Sequence, residues 1–157
     1  MSTSETSHVV TTIAGLHDLV GKHVGYTEWQ TMDQDRVNLF ADATADHQYI
    51  HVDPERARQT PFGGTIAHGF LTLSLLAPIQ MSLVEVADAV TGINYGLDRV
   101  RFPAPLPVGA RWRGGVEVVE VSEIPGGVQM KQVVTVEVEG SPKPACVAES
   151  LVRLYGG

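Results

Sequence analysis

The run from Ile66 to Ala77 constrains the fold more than any other part of the sequence, because it has no hydrophilic face at helical spacing. A helix that is apolar all round is expected to be buried on every side. Thr65 is predicted to cap this helix, and Pro78, which cannot donate a backbone hydrogen bond, is predicted to kink or end it. A further helical pattern extends from Met81 to Val90. The other elements are therefore expected to wrap around one central helix.

The sequence changes character after Gly92, where strand-forming residues and turn signals take over. Pairs of proline and glycine separate the later segments and are typical of hairpin turns, while the proline-rich run 103–107 is typical of a rigid crossing. The strands predicted in this region are Ile93–Phe102, Ala110–Glu123, Gly127–Glu139 and Pro144–Tyr155. Nearer the N-terminus, Lys22–Trp29 is predicted to be extended, and His8–Ile13 is predicted to be an edge strand or a linker. The fold class is therefore α+β, with an antiparallel sheet of roughly five or six strands wrapped round the apolar helix. An exposed edge strand of such a sheet would favour dimerisation.

Length and composition narrow the class of protein further. The 157 residues predict one domain, from residue 8 to residue 157, after a Ser/Thr-rich N-terminus (Met1–Ser7) that we expect to be disordered. The formal net charge of −7 argues against nucleic acid as a partner, because phosphate binding needs clustered cations. The apolar run is too short for a comfortable membrane span. With Cys146 as its one thiol, the chain is expected to be a soluble, cytoplasmic protein.

A polar segment rich in titratable groups precedes the apolar run. Thr31 and Gln34 form a capping-box signature, which predicts a helix that continues to about Ala43. Pro54 predicts the start of a second, brief helix. The loop Asp46–His51 lies between these two helices and leads towards the central one. Since loops held by a rigid scaffold often carry function, this loop is the first place to look for a site.

Three interpretations are open for Asp46, His47, His51 and His68. The first is a metal site, because His47 and His51 are four positions apart and would share one face of a helix. Pro54 disfavours a continuing helix there, and no second carboxylate lies at ligand spacing, so we expect no metal. The second is that the side chains only hydrogen-bond backbone groups and shape the loop. The third is an acid–base dyad, in which a carboxylate and an imidazole hold a water molecule and move its protons.

The run ATADHQYIHVD, followed by PFGGTIAHGF, resembles the hydratase motif of the MaoC-like (R)-specific enoyl-CoA hydratases. That motif usually reads S-G-D-x-N-P-[LIV]-H and is followed by a loop and an H-G pair. Within this superfamily the chain is most similar to the NodN-like branch, which the later run NYGLDRVRFPAPLPVG also resembles. The resemblance extends from about Gly21 to Tyr155 and implies a hot-dog fold.

Carried over onto this sequence, the resemblance implies that Asp46 and His51 form the catalytic dyad. It also implies that the backbone N–H of Gly69 contacts the thioester oxygen, a role that the unpaired N–H groups of a helix N-terminus suit. The sequence departs from the motif at Ala45, which replaces the usual glycine, and at Gln48, which replaces asparagine. Gln48 retains an amide able to orient the water or the loop.

The implied activity is the reversible syn hydration of trans-2-enoyl-CoA to (R)-3-hydroxyacyl-CoA, a hydro-lyase reaction of fatty acid metabolism. Negative charge builds on the thioester oxygen in the transition state, which a backbone N–H can stabilise by about 3 kcal/mol. No metal or redox cofactor is required, since coenzyme A is part of the substrate. Coenzyme A is polyanionic and the protein is acidic, so local arginines are predicted to contact its phosphates. The candidates are Arg99, Arg101, Arg111 and Arg113.

Two other functions stay open. A hot-dog acyl-CoA thioesterase would direct a carboxylate and water at the carbonyl carbon, and the pairing of Asp46 with His51 argues against it without excluding it. A non-catalytic module that binds acyl-CoA or acyl-carrier protein would keep the groove and would not need the dyad. The resemblance further implies a homodimer with the acyl groove near the interface.

Overall fold

An antiparallel sheet forms the body of the protein in a computed structural model that describes residues 8–157. The N-terminus predicted to be disordered, Met1–Ser7, lies outside the described residues. The described strands are β1 (Val9–Thr11), β2 (His23–Tyr26), β3 (Gln30–Thr31), β4 (Val84–Val86), β5 (Ala89–Arg101), β6 (Arg111–Ile124), β7 (Gly127–Val138) and β8 (Cys146–Gly156). The main sheet has six strands in the order β2-β6-β7-β8-β5, and β3 also pairs with β6.

The three long C-terminal strands pair in sequence order, as the hairpin signals predict. β6 pairs with β7 from Trp112↔Val138 to Ile124↔Gly127, and β7 pairs in turn with β8. Along β7, half-buried and buried residues alternate without interruption. This alternation arises because successive side chains of a strand point to opposite faces, one of which covers the core. The predicted ends of these three strands differ from the observed ones by at most two residues.

One face of the sheet is covered by the central helices. The described helices are a 3-10 helix (Ala14–Leu19), α1 (Gln34–Thr44), α2 (Tyr49–Val52), α3 (Pro54–Ala57), α4 (Gly69–Ser74) and α5 (Leu76–Leu83). Ile79 of α5 is 1% exposed and lies directly against Gly114 of β6, where an added Cβ would collide with its side chain. The missing side chain lets the helix approach the sheet closely. This helix-in-sheet arrangement is the hot-dog fold, so the α+β prediction is confirmed.

The central helix differs from its prediction in two respects. It is not a single helix over 66–77, because Leu75 separates α4 from α5. The break lies upstream of Pro78, since a proline ring clashes with the carbonyl four residues earlier, here that of Ser74, and cannot donate to it. The helix is also not buried on every side, because the side chain of Phe70 is 73% exposed. A large exposed aromatic of this kind marks a candidate contact surface.

Two predicted helix caps are wrong. The N-cap of α1 is Asp33, whose carboxylate accepts a hydrogen bond from the Arg36 N–H at 2.8 Å, whereas Thr31 belongs to β3. The residue before α4 is His68, so Thr65 does not cap the central helix. In both places, the chain continues past the first residue that could cap a helix.

The helical segment that follows Pro78 is shorter than predicted. The helix ends at Leu83, so the helical pattern predicted for Met81–Val90 is wrong beyond that residue. β4 follows and pairs in parallel with β1, as β-branched residues favour. β5 then forms the outer edge of the main sheet, with most of its residues exposed. Among the described helices, none has the length and apolar character needed to cross a membrane.

Candidate active site

The loop that carries Asp46 begins at a backbone reversal. Ala45 ends α1 with φ of 61° and ψ of 25°, the left-handed region, and is the one non-glycine residue with positive φ in the described part of the chain. Glycine adopts this conformation freely, whereas alanine there costs about 1–2 kcal/mol. This backbone conformation explains why the motif usually has glycine at this position. In this chain, Ala45 adopts the same conformation despite its Cβ.

His51 lies on the one-turn helix α2, and it is 6% exposed. Its Nδ1 lies 2.7 Å from the carbonyl oxygen of Ile66. Because a carbonyl can only accept, Nδ1 carries the proton and Nε2 keeps a free lone pair. Burial lowers the pKa of His51 below its ordinary value of 6.5, and nearby His68 adds to this effect, while the Ile66 carbonyl and Asp46 partly oppose it. His51 is thus a neutral base near neutral pH.

A second buried imidazole, that of His68, stacks on His51. The ring centroids are 3.9 Å apart and the planes differ by 23°. His68 Nε2–H donates to the backbone carbonyl of Asp46 at 3.0 Å. Its Nδ1 is buried and has no hydrogen-bond partner among the described residues. His68 therefore connects the main chain of Asp46 to the ring of His51.

Asp46, His51 and His68 together form one cluster. A carboxylate oxygen of Asp46 and one nitrogen of each imidazole all lie within 4.8 Å of one another. Asp46 is exposed and both histidines are buried, so the cluster opens to solvent on the side of the carboxylate. The structure brings the two predicted dyad residues to one point, and their catalytic role stays a prediction.

The cluster contains metal-binding residue types, but its geometry suits a cation poorly. A metal lies in the plane of an imidazole at about 2.0–2.1 Å from its nitrogen. Two rings stacked 3.9 Å apart, with planes only 23° from parallel, leave no point that satisfies both. His47, considered with His51 as a ligand pair, lies apart from the cluster: its Nε2 is 2.8 Å from an oxygen of Asp42 and its side chain is 54% exposed.

Gln48 contacts Asp46 through its main chain. The backbone N–H of Gln48 donates to a carboxylate oxygen of Asp46 at 3.3 Å, which restrains the carboxylate within the loop. Gln48 is also the N-cap of α2, but its side chain makes no capping hydrogen bond and is exposed. Its predicted role in orienting water stays a prediction.

Gly69 is the first residue of α4 and directly follows His68. The N–H groups in the first turn of a helix have no partner within the helix, so this N–H is a donor next to the cluster. A Cβ at residue 69 would lie 3.5 Å from the ring of Phe102, which is ordinary contact. A cavity of about 290 Å³ lies beside Gly69, and it is lined largely by apolar residues including Phe62, Ile66, Phe102 and Leu106. Gly69 therefore lines an apolar cavity that an acyl group can enter.

The four candidate arginines do not form one group. Two lie on β5 and two on β6: Arg99 and Arg101, then Arg111 and Arg113. Strands β7 and β8 lie between the two pairs. Arg111 pairs with Glu139 at 2.9 Å, and Arg113 pairs with Glu137 at 2.7 Å. The four side chains therefore cannot contact the same phosphates together.

One contributor to the site has no signal in the sequence. Gln34 is predicted only as part of a capping box, yet its side-chain amide donates to the carbonyl oxygen of His51 at 2.7 Å. The amide oxygen accepts from the hydroxyl of Thr65 at 2.6 Å. These partners lie 17 and 31 residues away in sequence, so no periodic pattern indicates the contacts. For His68, by contrast, the H-G pair marks the position but not its contact with Asp46.

The fold and the site define a hot-dog protein with a carboxylate and two imidazoles at the N-terminal end of its central helices. Residues 16–140 match the family model described as MaoC like domain. The chain belongs to this family.

Similar proteins agree with this assignment. The chain is 56% identical over 142 residues to 3-hydroxyacyl-thioester dehydratase Z of Mycobacterium tuberculosis (strain ATCC 25618 / H37Rv), covering 90% of this chain and 94% of that protein. It is 47% identical over 140 residues to nodulation protein N of Rhizobium leguminosarum bv. viciae, covering 87% and 86%. The structure of R-hydratase PhaJ1 from Pseudomonas aeruginosa superposes with a TM-score of 0.75 at 22% identity, covering 93% and 86%. The family identified from the motif is confirmed.

Proposed function

We propose that the protein is an (R)-specific enoyl-CoA hydratase, which catalyses the reversible syn hydration of trans-2-enoyl-CoA to (R)-3-hydroxyacyl-CoA. Membership in the MaoC-like family and similarity to a 3-hydroxyacyl-thioester dehydratase support a hydro-lyase that acts on acyl thioesters. One observation carries the finer assignment: the Asp46 carboxylate converges with two imidazoles within 4.8 Å, and His51 Nε2 is left free. In this proposal, coenzyme A is part of the substrate and the chemistry needs no metal or redox cofactor.

The tautomer of His51 supports a definite route for the proton. Because Nδ1–H is bound to the Ile66 carbonyl, Nε2 takes a proton from water as the water oxygen bonds to C3. The same Nε2–H then returns a proton to C2, which lies next to C3 within reach of one nitrogen. The Asp46 carboxylate accepts a hydrogen bond from the other O–H of the water, which remains as the product hydroxyl, and it stabilises the transient imidazolium. Both new bonds form on the face nearest His51, which makes the addition syn.

The charge that develops on the thioester oxygen requires a donor. Gly69 N–H occupies the start of α4 beside the apolar cavity, so a thioester oxygen placed there lies next to the cluster. A donor aimed at this oxygen can lower the activation free energy by about 3 kcal/mol. The absence of a side chain at Gly69 keeps the approach open, with the Phe102 ring as the opposite wall.

The phosphates of coenzyme A need cations at some distance from this centre. Arg99 and Arg101 are exposed on β5, and we assign the phosphate contacts to this pair. Arg111 and Arg113 are already bound to carboxylates and would have to exchange those partners. Guanidinium groups suit this role because they bind phosphate oxygens in a bidentate manner.

We also propose a homodimer formed along β5 and the central helices. β5 is an outer strand of the main sheet, and its Ile93 is 46% exposed. Ile93 lines a cavity together with the exposed Met81, and the exposed Phe70 lines a neighbouring one with Leu97 of β5. An edge strand with exposed apolar groups is expected to pair with another strand. Light scattering at assay concentration should show a dimer, and Ile93→Lys should weaken it while Val10→Lys, at a 60% exposed position on β1, should not. A fully active monomer would contradict the dimer.

One assay separates this function from the alternatives. The protein is incubated with crotonyl-CoA while the conjugated enoyl absorbance and the release of free thiol are followed together. Loss of absorbance without thiol supports the hydratase, thiol release supports a thioesterase, and neither signal supports a binding module. Cys146 does not supply a nucleophile for a thioesterase, because burial raises the pKa of its thiol to about 11.

A further inference from the structure

A closed ring of hydrogen bonds lies behind His51. The amide of Gln34 donates to the carbonyl oxygen of His51 at 2.7 Å, and its own oxygen accepts from the Thr65 hydroxyl at 2.6 Å. On the other side, the His51 ring donates through Nδ1 to the Ile66 carbonyl at 2.7 Å. Thr65 and Ile66 are adjacent in sequence, so the four residues complete a ring. None of Gln34, Thr65 and Ile66 takes part in the proposed proton transfers.

This ring joins three separate parts of the chain. Gln34 begins α1, His51 lies on α2, and Thr65 and Ile66 belong to the segment that leads into α4. The segment is itself fixed, because the Ile66 N–H donates to the Ile50 carbonyl at 3.0 Å. Three residues after Ile66 the chain reaches Gly69. The ring therefore fixes the imidazole and the Gly69 N–H in one frame.

The orientation of the Gln34 amide is determined by its partners. The His51 carbonyl can only accept, so the amide nitrogen must face it and the amide oxygen faces Thr65. The second N–H of the amide donates to Asn38 within α1 at 3.0 Å. Thr65 is 6% exposed and Gln34 is half-buried, so little water competes for these bonds. The amide has no free rotation that would let His51 shift.

We infer that Gln34, held by Thr65, is a positioning residue that sets His51 relative to the backbone N–H of Gly69. This inference rests on the proposed function, because the placement matters only if both groups act on one substrate. Hydration requires the water on C3 and the donor on the thioester oxygen at the same time. A displacement of about 1 Å between such groups can slow a reaction by about 100-fold. Loss of the Gln34 bonds should therefore lower kcat more than it raises KM.

The test uses four single variants assayed with crotonyl-CoA. Gln34→Leu keeps the volume and removes the two bonds of the ring together with the bond to Asn38, and it should lower kcat by about 10- to 100-fold with KM changed less than about threefold. Thr65→Val should lower kcat by about tenfold, whereas Thr65→Ser keeps the hydroxyl and should restore most of the rate. Asn38→Ala is the matched control, since it removes only the bond within α1. The double variant Gln34→Leu with Thr65→Val should be no slower than Gln34→Leu alone, because both act through the same ring.

A second readout does not depend on activity. The His51 Nδ1–H resonance is followed by NMR in nitrogen-15-labelled protein without substrate. It should shift or broaden in Gln34→Leu and stay unchanged in Asn38→Ala. If wild type hydrates crotonyl-CoA and Gln34→Leu does so at the same rate, the positioning role is overturned. If wild type shows no hydration, the proposed function fails. The NMR result is independent of that outcome: an unchanged resonance in Gln34→Leu would show that Gln34 does not position His51, whereas a shifted resonance would support this role.

Discussion

Two clusters of polar side chains lie within this fold, and they differ in chemistry. The histidine cluster described above combines a carboxylate with two imidazoles, and each imidazole is held by a backbone carbonyl. The amide cluster lies between α5 and the sheet and consists of Gln80, Gln132 and Ser150. There, the Gln80 amide donates to the Gln132 oxygen at 2.7 Å and to the Ser150 hydroxyl at 3.1 Å. One cluster is fixed by main chain, the other by its own side chains.

The difference indicates that the two clusters have different roles, one in catalysis and one in stability. The amide cluster contains no group that changes charge near neutral pH, and it connects a helix to two adjacent strands. The histidine cluster lies where helices begin and end, and His68 Nδ1 is buried there without a hydrogen-bond partner among the described residues. A buried polar group without a partner costs about 1–3 kcal/mol, and such groups concentrate at functional sites. The first cluster should therefore govern turnover and the second stability.

The largest expected effect is on turnover, from changes in the histidine cluster. Asp46→Asn and His51→Gln should each lower the hydration rate by about 100- to 10,000-fold, because each removes a group that handles the proton of water. Thermal unfolding followed by circular dichroism should change little. His47→Gln serves as the control, since His47 lies next to Asp46 in sequence but bonds to Asp42 on the surface. Near-normal turnover in either cluster variant would remove that residue from the mechanism.

The second prediction concerns the amide cluster, where the effect should fall on stability. Gln132 is 1% exposed, so Gln132→Ala leaves a cavity and removes the acceptor of one of the two hydrogen bonds of the Gln80 amide. We expect the free energy of unfolding to fall by about 2–4 kcal/mol, measured by urea denaturation, with kcat close to wild type. Gln129 lies on the same strand, and its half-buried side chain accepts a hydrogen bond from Arg153. Gln129→Ala should therefore lower the free energy of unfolding by less than about 1 kcal/mol. A large loss of kcat in folded Gln132→Ala would break the distinction between the clusters.

Much of the scaffold could be predicted from the sequence, because it depends on local patterns. Alternating residues and hairpin turns located β6, β7 and β8, and the motif located Asp46, His51 and Gly69. The site was harder to predict where it depends on long-range contacts. Nothing near Gln34 in sequence indicates a bond to His51, which folding alone brings close. The arginines illustrate the same limit. Arg101 and Arg111 are close in sequence, yet they lie on strands that are not neighbours in the sheet.

The smallest expected effect is a pH dependence of stability confined to the histidine cluster. The pKa of His51 is lowered in the folded protein, chiefly by burial, so the unfolded chain binds a proton first as the pH falls below 6.5. Stability is therefore lost as the pH falls from 6.5 towards the lowered pKa. His51→Gln should show a flatter dependence of Tm on pH in this window. The comparison with wild type cancels His8, whose raised pKa acts in the opposite direction in both proteins. Equal slopes for both proteins would show that His51 is not buried as a neutral base.

The stereochemical course of hydration is the most direct test of the proposed mechanism. In the proposed mechanism, water and the proton from His51 add to one face of the enoyl group while Gly69 fixes the thioester, so a single product is expected, which we propose is the (R)-3-hydroxyacyl thioester. The product of crotonyl-CoA hydration is offered to an (S)-specific 3-hydroxyacyl-CoA dehydrogenase with NAD. We expect that enoyl absorbance is lost and that no appreciable NADH is formed. Substantial NADH formation would mean the (S) product and would contradict the assignment.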